Sequence, residues 1–231
     1  MEGKRQDFDN PSNKETALVY GVLLGDGCLS KVEPNYYFVD VCCNIHDDIP
    51  FLKKIKPIFE KIRKNNINIK LRPSHGAANI VICHKKTFLF FKSLGFPVGV
   101  KGTTLKISNH FDKNLWKYII KGYFACDGCL VLTNNNGTLY LRIEFSGISK
   151  IILQQVLDYL RELGMNGNIY VSHRYPEGSQ RNTAYRIQFN GEKNLYLFRN
   201  KIGFVNPKHE GKLKFYECEV PEGGFELPTF T

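Results

Sequence analysis

Two aspartates stand out by what surrounds them. Residues 19–29 read VYGVLLGDGCL and residues 120–130 read IKGYFACDGCL, so Asp26 and Asp127 each end an apolar run and are each followed by Gly-Cys-Leu. They lie 101 positions apart (127 − 26), and each heads about half of the 231-residue chain. If both runs are helices, each carboxylate faces the negative end of its own helix dipole. Two such carboxylates side by side repel each other unless a divalent cation lies between them. Oxygen donors of this kind suit a hard ion such as Mg²⁺, which can activate water and neutralise a phosphate.

The helices that must position this pair carry a second pattern. Gly21 and Gly25 are four apart and share a helix face, and Gly122 and Cys126 hold the same relative places in the second copy. Small residues at that spacing let two helix backbones approach closely, and the glycine after each Asp ends the helix. The expectation is that the two helices pair and bring Asp26 and Asp127 over one metal site. An ordinary core helix ending in an exposed Asp-Gly turn would account for one copy, but not for a second at half-chain spacing.

Between and after these helices the same succession appears twice. Ser12 and Glu15 have capping-box spacing and start the first helix, after a polar, loose stretch over 1–11. Strands are expected at 28–32 and 36–45, followed by a helix from 47 in which Pro57 should introduce a kink. Strands at 68–73 and 79–83 and a helix over 85–94 complete the first unit. The second unit has a helix over 112–126, strands at 129–132 and 138–146, a helix over 149–163, strands at 168–174 and 183–190, and a helix over 193–201. The run Asn134-Asn135-Asn136-Gly137 is a strong hairpin signal. After Lys212 the tail reads as irregular. The fold class is therefore α+β, two pseudo-symmetric αββαββα repeats (1–107 and 112–212) joined by a linker at 108–111, with a tail over 213–231. Each repeat builds a four-stranded antiparallel sheet with helices on one face, and two open faces side by side form a saddle.

Composition narrows the partner. Net charge is +10 and the pI about 9.2, which suits a polyanion, and nucleic acid before membrane because no basic lipid-binding helix is present. No run approaches the roughly 18 apolar residues of a membrane span, and no signal-peptide pattern opens the chain. Seven cysteines, an odd number with Cys42 and Cys43 adjacent, form no disulfide framework and point to an intracellular, reducing compartment. The C-x-x-C at Cys126–Cys129 lacks a second pair of zinc-like spacing. Neither a phosphate loop nor a histidine triad is present.

The open sheet faces carry donors of the kind that reach base edges and phosphates in a major groove. In the first repeat these are Tyr36, Phe38, Asp40, Lys70, Arg72 and Asn79. In the second they are Tyr140, Arg142 and Glu144, then Tyr170, Ser172 and Arg174, then Arg186 and Gln188, with Arg181 in a polar loop.

The two Asp-Gly helices resemble the paired signature helices of the LAGLIDADG homing endonucleases in their single-chain, two-repeat form. Leu24 and Ala125 stand where the family name has its first Asp, and the acidic metal position is kept in both copies. The resemblance covers about 15–212. It implies a monomeric enzyme that hydrolyses double-stranded DNA at a long pseudo-palindromic site, using two or more Mg²⁺ ions that Mn²⁺ or Ca²⁺ can replace in binding. It implies main-chain carbonyls of Gly25 and Cys126 as further metal ligands and Lys101 and Lys208 as the lysine of each repeat. Asn44 and Ser146 fall at the polar, water-ordering position. The same scaffold also serves RNA maturases that assist intron splicing without cutting DNA, and a DNA-binding regulator with a degenerate core is a third reading.

Overall fold

Strand alternation and helix amphipathicity fix most of the architecture. In the computed structural model, which describes residues 13–136, 138–175 and 181–219, the first unit runs α1 (Lys14–Asp26), β1 (Gly27–Val32), β2 (Tyr36–Asn44), α2 (Ile49–Arg63), β3 (Ile69–Arg72), β4 (Ala77–Cys83) and α3 (Lys85–Ser93). The second runs α4 (Trp116–Asp127), β5 (Gly128–Asn135), β6 (Thr138–Gly147), α5 (Lys150–Glu162), β7 (Gly167–His173), β8 (Ala184–Asn190) and α6 (Glu192–Lys201), and a further helix, α7 (Pro207–Glu219), follows. The αββαββα order is present twice, as two antiparallel sheets with strand orders β1-β2-β4-β3 and β5-β6-β8-β7.

Each sheet buries one face. Val39 and Val41 of β2 and Ile80 and Ile82 of β4 point inward against Leu52, Ile55 and Phe59 of α2. In the second unit Leu141, Ile143 and Phe145 of β6 and Ile187 and Phe189 of β8 meet the apolar stripe Leu153, Val156, Leu157 and Leu160 of α5. The alternate residues face away from the helices, as a half-covered antiparallel sheet requires. The two central helices α1 and α4 are apolar nearly all round and sit between the units, with Val19, Leu23, Ile119 and Ile120 fully buried.

Three local expectations are corrected. The first helix is capped by Asn13, whose side-chain oxygen accepts from Glu15 N at 2.8 Å; Ser12, and the stretch 1–11, lie outside the described residues. Residues 213–219 are helical, not irregular: Asn206 Oδ1 accepts from Lys208 N at 3.1 Å and starts α7, Pro207 follows at a position that favours it, and Leu213 and Tyr216, three apart, anchor one face in the core. Their weak periodicity hid the helix. Strand β5 continues through Asn135, so the hairpin tip falls on Asn136, whose φ is 50°; Gly137, and the tail from 220, lie outside the described residues. The helix α2 runs through Pro57 without interruption.

Candidate active site

The site is built on the contact between α1 and α4. A Cβ placed on Gly21 would lie 2.0 Å from the Ile119 carbonyl oxygen, and one on Gly122 would lie 2.1 Å from that of Leu18. A Cβ on Gly25 would meet Cys126 Cβ at 2.4 Å and Asp127 Cγ at 3.6 Å. No side chain fits at these places, so the small residues let the backbones touch and carry the two Asp-Gly ends to the same spot. The pairing expected from the glycine spacing is present.

Electrostatics agree. Burial, and then the charge of Asp26, push the Asp127 carboxyl up to about 7, against the attraction of Lys101 and a hydrogen bond with Tyr123. Burial also raises Asp26, only partly offset by a hydrogen bond from Cys126 and by Lys101. The Cys43 thiol donates to Asp26 Oδ2 at 3.7 Å. Lys101 donates to the main-chain oxygens of Leu24 at 3.0 Å, Leu23 at 3.4 Å and Gly25, at the C-terminal end of α1. Burial pulls its ammonium below the usual range, against Asp127 and Asp26. These donors fit a hard divalent cation: two part-buried carboxylates with no full counter-charge, beside helix-end carbonyls. Among the described residues no group of three or more His, Cys, Asp and Glu converges, so further ligands would come from main chain, water or substrate. The Gly25 carbonyl is held by Lys101, which must yield it if a metal is to use it.

Lys208 is held differently. Its ammonium pairs with Asp48 Oδ1 at 2.9 Å. Asn206 Nδ2 donates to the same carboxylate oxygen at 2.7 Å and to the Ala125 carbonyl in the last turn of α4 at 2.9 Å. Burial works against the Lys208 charge, but the hydrogen bond and charge of Asp48 outweigh it, so its pKa is raised. Asp48 and Asn206 were not legible as site residues. They stand 158 positions apart, and Asp48 read only as part of a helix start.

Asn44 and Ser146 are both exposed near the ends of open-face rows, but they are not equivalent by register. Val41 pairs with Gly27, and Phe145 pairs with Gly128. Ser146 is therefore one residue past its reference and Asn44 three past; the position in the first repeat equivalent to Ser146 is Cys42. Asn44 also spends its oxygen on His46 N at 2.8 Å.

The residues expected to read DNA occupy the open faces with uneven freedom. Tyr36, Lys70, Arg72, Tyr140 and Tyr170 are exposed, and the rings of Tyr36 and Phe38 stack 6.5 Å apart. Asn79 is buried, with its amide donating to both oxygens of Asp40 at 3.1 and 3.3 Å. Glu144 is buried too, accepting from Gln188 at 2.8 Å and Arg186 at 3.2 Å, with Arg142 Nε at 3.6 Å. A register shift between Val171 and His173 puts Ser172 at an irregularity, and Arg174 lies past the strand end. Arg181 stands over the Tyr175 ring at 5.4 Å.

Two antiparallel sheets with open polar faces, joined by a tightly packed helix pair that ends in two carboxylates, define a two-repeat α+β architecture. Residues 117–203 match the model of the LAGLIDADG-like domain, and the whole chain has the fold of the LAGLIDADG homing endonucleases. It superposes on I-DmoI, in a complex with DNA and Ca, with a TM-score of 0.59 at 16% identity, covering 89% of this chain and 99% of that one. It superposes on the LAGLIDADG meganuclease I-AabMI, bound to uncleaved DNA, with a TM-score of 0.57 at 12% identity, covering 90% of each chain. In sequence it is 28% identical over 235 residues to a DNA polymerase of Acanthamoeba polyphaga mimivirus, which covers 94% of this chain and 12% of the relative. The curated relatives it matches are longer, and it spans 12 to 62% of their length.

Proposed function

We propose that this chain is a site-specific double-strand DNA endonuclease that hydrolyses phosphodiesters with Mg²⁺. The observation that carries this reading is the meeting of Asp26 and Asp127 at a helix contact too tight for any side chain. A divalent ion held there would polarise the phosphate and activate water. The chain's own residues do the rest. Asp26 and Asp127 would hold two or more such ions, each aspartate serving cleavage of one strand, with the Gly25 and Cys126 carbonyls as further ligands. Lys101 and Lys208 bring positive charge to the reacting phosphates, and Asn44 and Ser146 order water at the edge of the site. The sheet residues position the duplex, with Lys70 and Arg72 on phosphate and the Arg186–Gln188–Glu144 group toward base edges. The repeats differ in sequence, so the target is pseudo-palindromic and one chain spans it as a monomer, each repeat taking one half-site on either side of the 108–111 linker. All seven cysteines are free, in keeping with a reducing interior, and among the described residues no helix is long and apolar enough to cross a membrane.

Selecting cleaved sites from a randomised DNA library in Mg²⁺ tests the reading. Wild-type protein should yield one long site cut on both strands, and Asp26→Asn or Asp127→Asn should lower the rate by roughly a thousandfold or more, the scale of losing an essential catalytic group. Folded wild-type protein that yields no cut site, or Asn variants that cut like wild type, would overturn it. In the first case binding to structured intron RNA would become the better reading.

A further inference from the structure

The two repeats restrain their lysines by unlike means. Lys101 rests on the end carbonyls of α1, whereas Lys208 is held by the buried carboxylate of Asp48, 5% exposed. Asp48 occupies the N-cap position of α2, where an aspartate ordinarily accepts from the helix's own N–H groups, yet its side chain makes no capping bond. It turns to Asn206 and Lys208 instead, and Asn206 ties it to the Ala125 carbonyl, two residues before Asp127. The matching N-cap in the second repeat is Ser149, whose hydroxyl donates to the Leu105 carbonyl at 2.7 Å and accepts from Ile152 N at 3.5 Å. It offers no charge to a lysine. The connection that delivers Asp48 is also longer: Asp48 lies seven positions after Val41, the partner of Gly27, while Ser149 lies four positions after Phe145, the partner of Gly128.

We propose that Asp48 is a positioning residue for Lys208, and that this arrangement governs cleavage of one DNA strand and not the other. It rests on the nuclease reading above. Lys208, fixed by a buried partner on the opposite repeat, serves one scissile phosphate; Lys101, resting on the end carbonyls of α1, serves the second.

Two measurements test this. In the first, both strands of the selected target carry different fluorophores and the nicking rate of each is followed for wild type, Asp48→Asn and Asp48→Ala. The expected result is a loss of about tenfold or more on one strand, with the other changed less than about twofold, and a smaller asymmetric loss for Asp48→Asn, which keeps an oxygen for Asn206. Equal losses on both strands, or none, would overturn the proposal, because a merely structural role lowers both together. In the second, trace acetylation with acetic anhydride and mass spectrometry reads lysine reactivity without DNA. Asp48→Asn should raise Lys208 labelling severalfold and leave Lys101 unchanged; unchanged Lys208 labelling would overturn the positioning role. If wild-type protein cuts nothing, the nuclease reading and the strand assignment fall together, and labelling alone decides whether Asp48 positions Lys208.

Discussion

At the scale of single residues, the fold bears a cost for bringing Asp26 and Asp127 together. Burial, and then Asp26, push the Asp127 carboxyl up to about 7 in the folded chain, from an ordinary value of 3.8. Its folded value is raised, so its favourable contribution is complete below pH 3.8 and is lost as pH rises through 7. At pH 8 the charged form costs about 3 kcal/mol, discounted from roughly 4 because water reaches part of the carboxylate. Asp127→Asn should therefore melt higher than wild type at pH 8 without metal, and equal to it near pH 4. Mg²⁺ should raise the melting temperature of wild type and move the variant much less. Calorimetry at the two pH values, with and without MgCl₂, checks both. His209 gives the opposite sign. It is 1% exposed, and burial, with Lys208 and Lys212 nearby and Asp48 opposing them, lowers its pKa to about 4. The unfolded chain takes up a proton near 6.5 that the folded chain refuses, so stability falls as pH drops from 6.5 towards 4, by up to roughly 3 kcal/mol. Comparing urea unfolding of wild type and His209→Leu across that range should show a shallower acid decline in the variant.

At the scale of elements, the contact of α1 with α4 has no slack. Gly21→Ala and Gly122→Ala each set a methyl against a main-chain oxygen, and the helices must separate to admit it. A loss of about 3 kcal/mol is expected for each, at the upper end of overpacking costs, read as a shift of the urea midpoint. This contact was legible in the sequence because its cause is local: two small-residue spacings, Gly21–Gly25 and Gly122–Cys126, and two Asp-Gly ends, each written within a few residues. The sheets were legible for the same reason, through the alternation of β2 and β6. What escaped were features with non-local causes. Helix α7 is held by Leu213 and Tyr216 against a core the sequence does not display. The Asp48–Asn206–Lys208 group joins residues from the two ends of the chain. Asn44 and Ser146 both stand near strand ends, whereas pairing register, set by Gly27 and Gly128, separates them.

At the scale of the whole molecule, a net charge of +10 and two open faces predict DNA affinity that depends steeply on salt. With six to ten phosphate contacts, binding should weaken about 10³-fold or more between 50 and 200 mM salt. Lys70→Ala and Arg72→Ala, both exposed on β3, should each reduce the slope of log K against log salt by about one and weaken all sequences alike. Arg186→Ala should instead relax sequence preference, because Glu144 holds that side chain in one orientation. Fluorescence anisotropy over a salt series separates the two behaviours.

The tie between Asp48 and Asn206 also bears on how the two halves recognise each other. Gly21 meets the Ile119 carbonyl as Gly122 meets that of Leu18, so this contact alone does not tell one half from the other. Two first halves would bury two Asp48 carboxylates with neither Asn206 nor Lys208 to meet them, and an unmatched buried charge is among the costliest of defects. Mixed association satisfies the carboxylate once, on one side. Among these pairings only the mixed one gives the Asp48 carboxylate its partners from the other half, so this tie would favour it over two like halves.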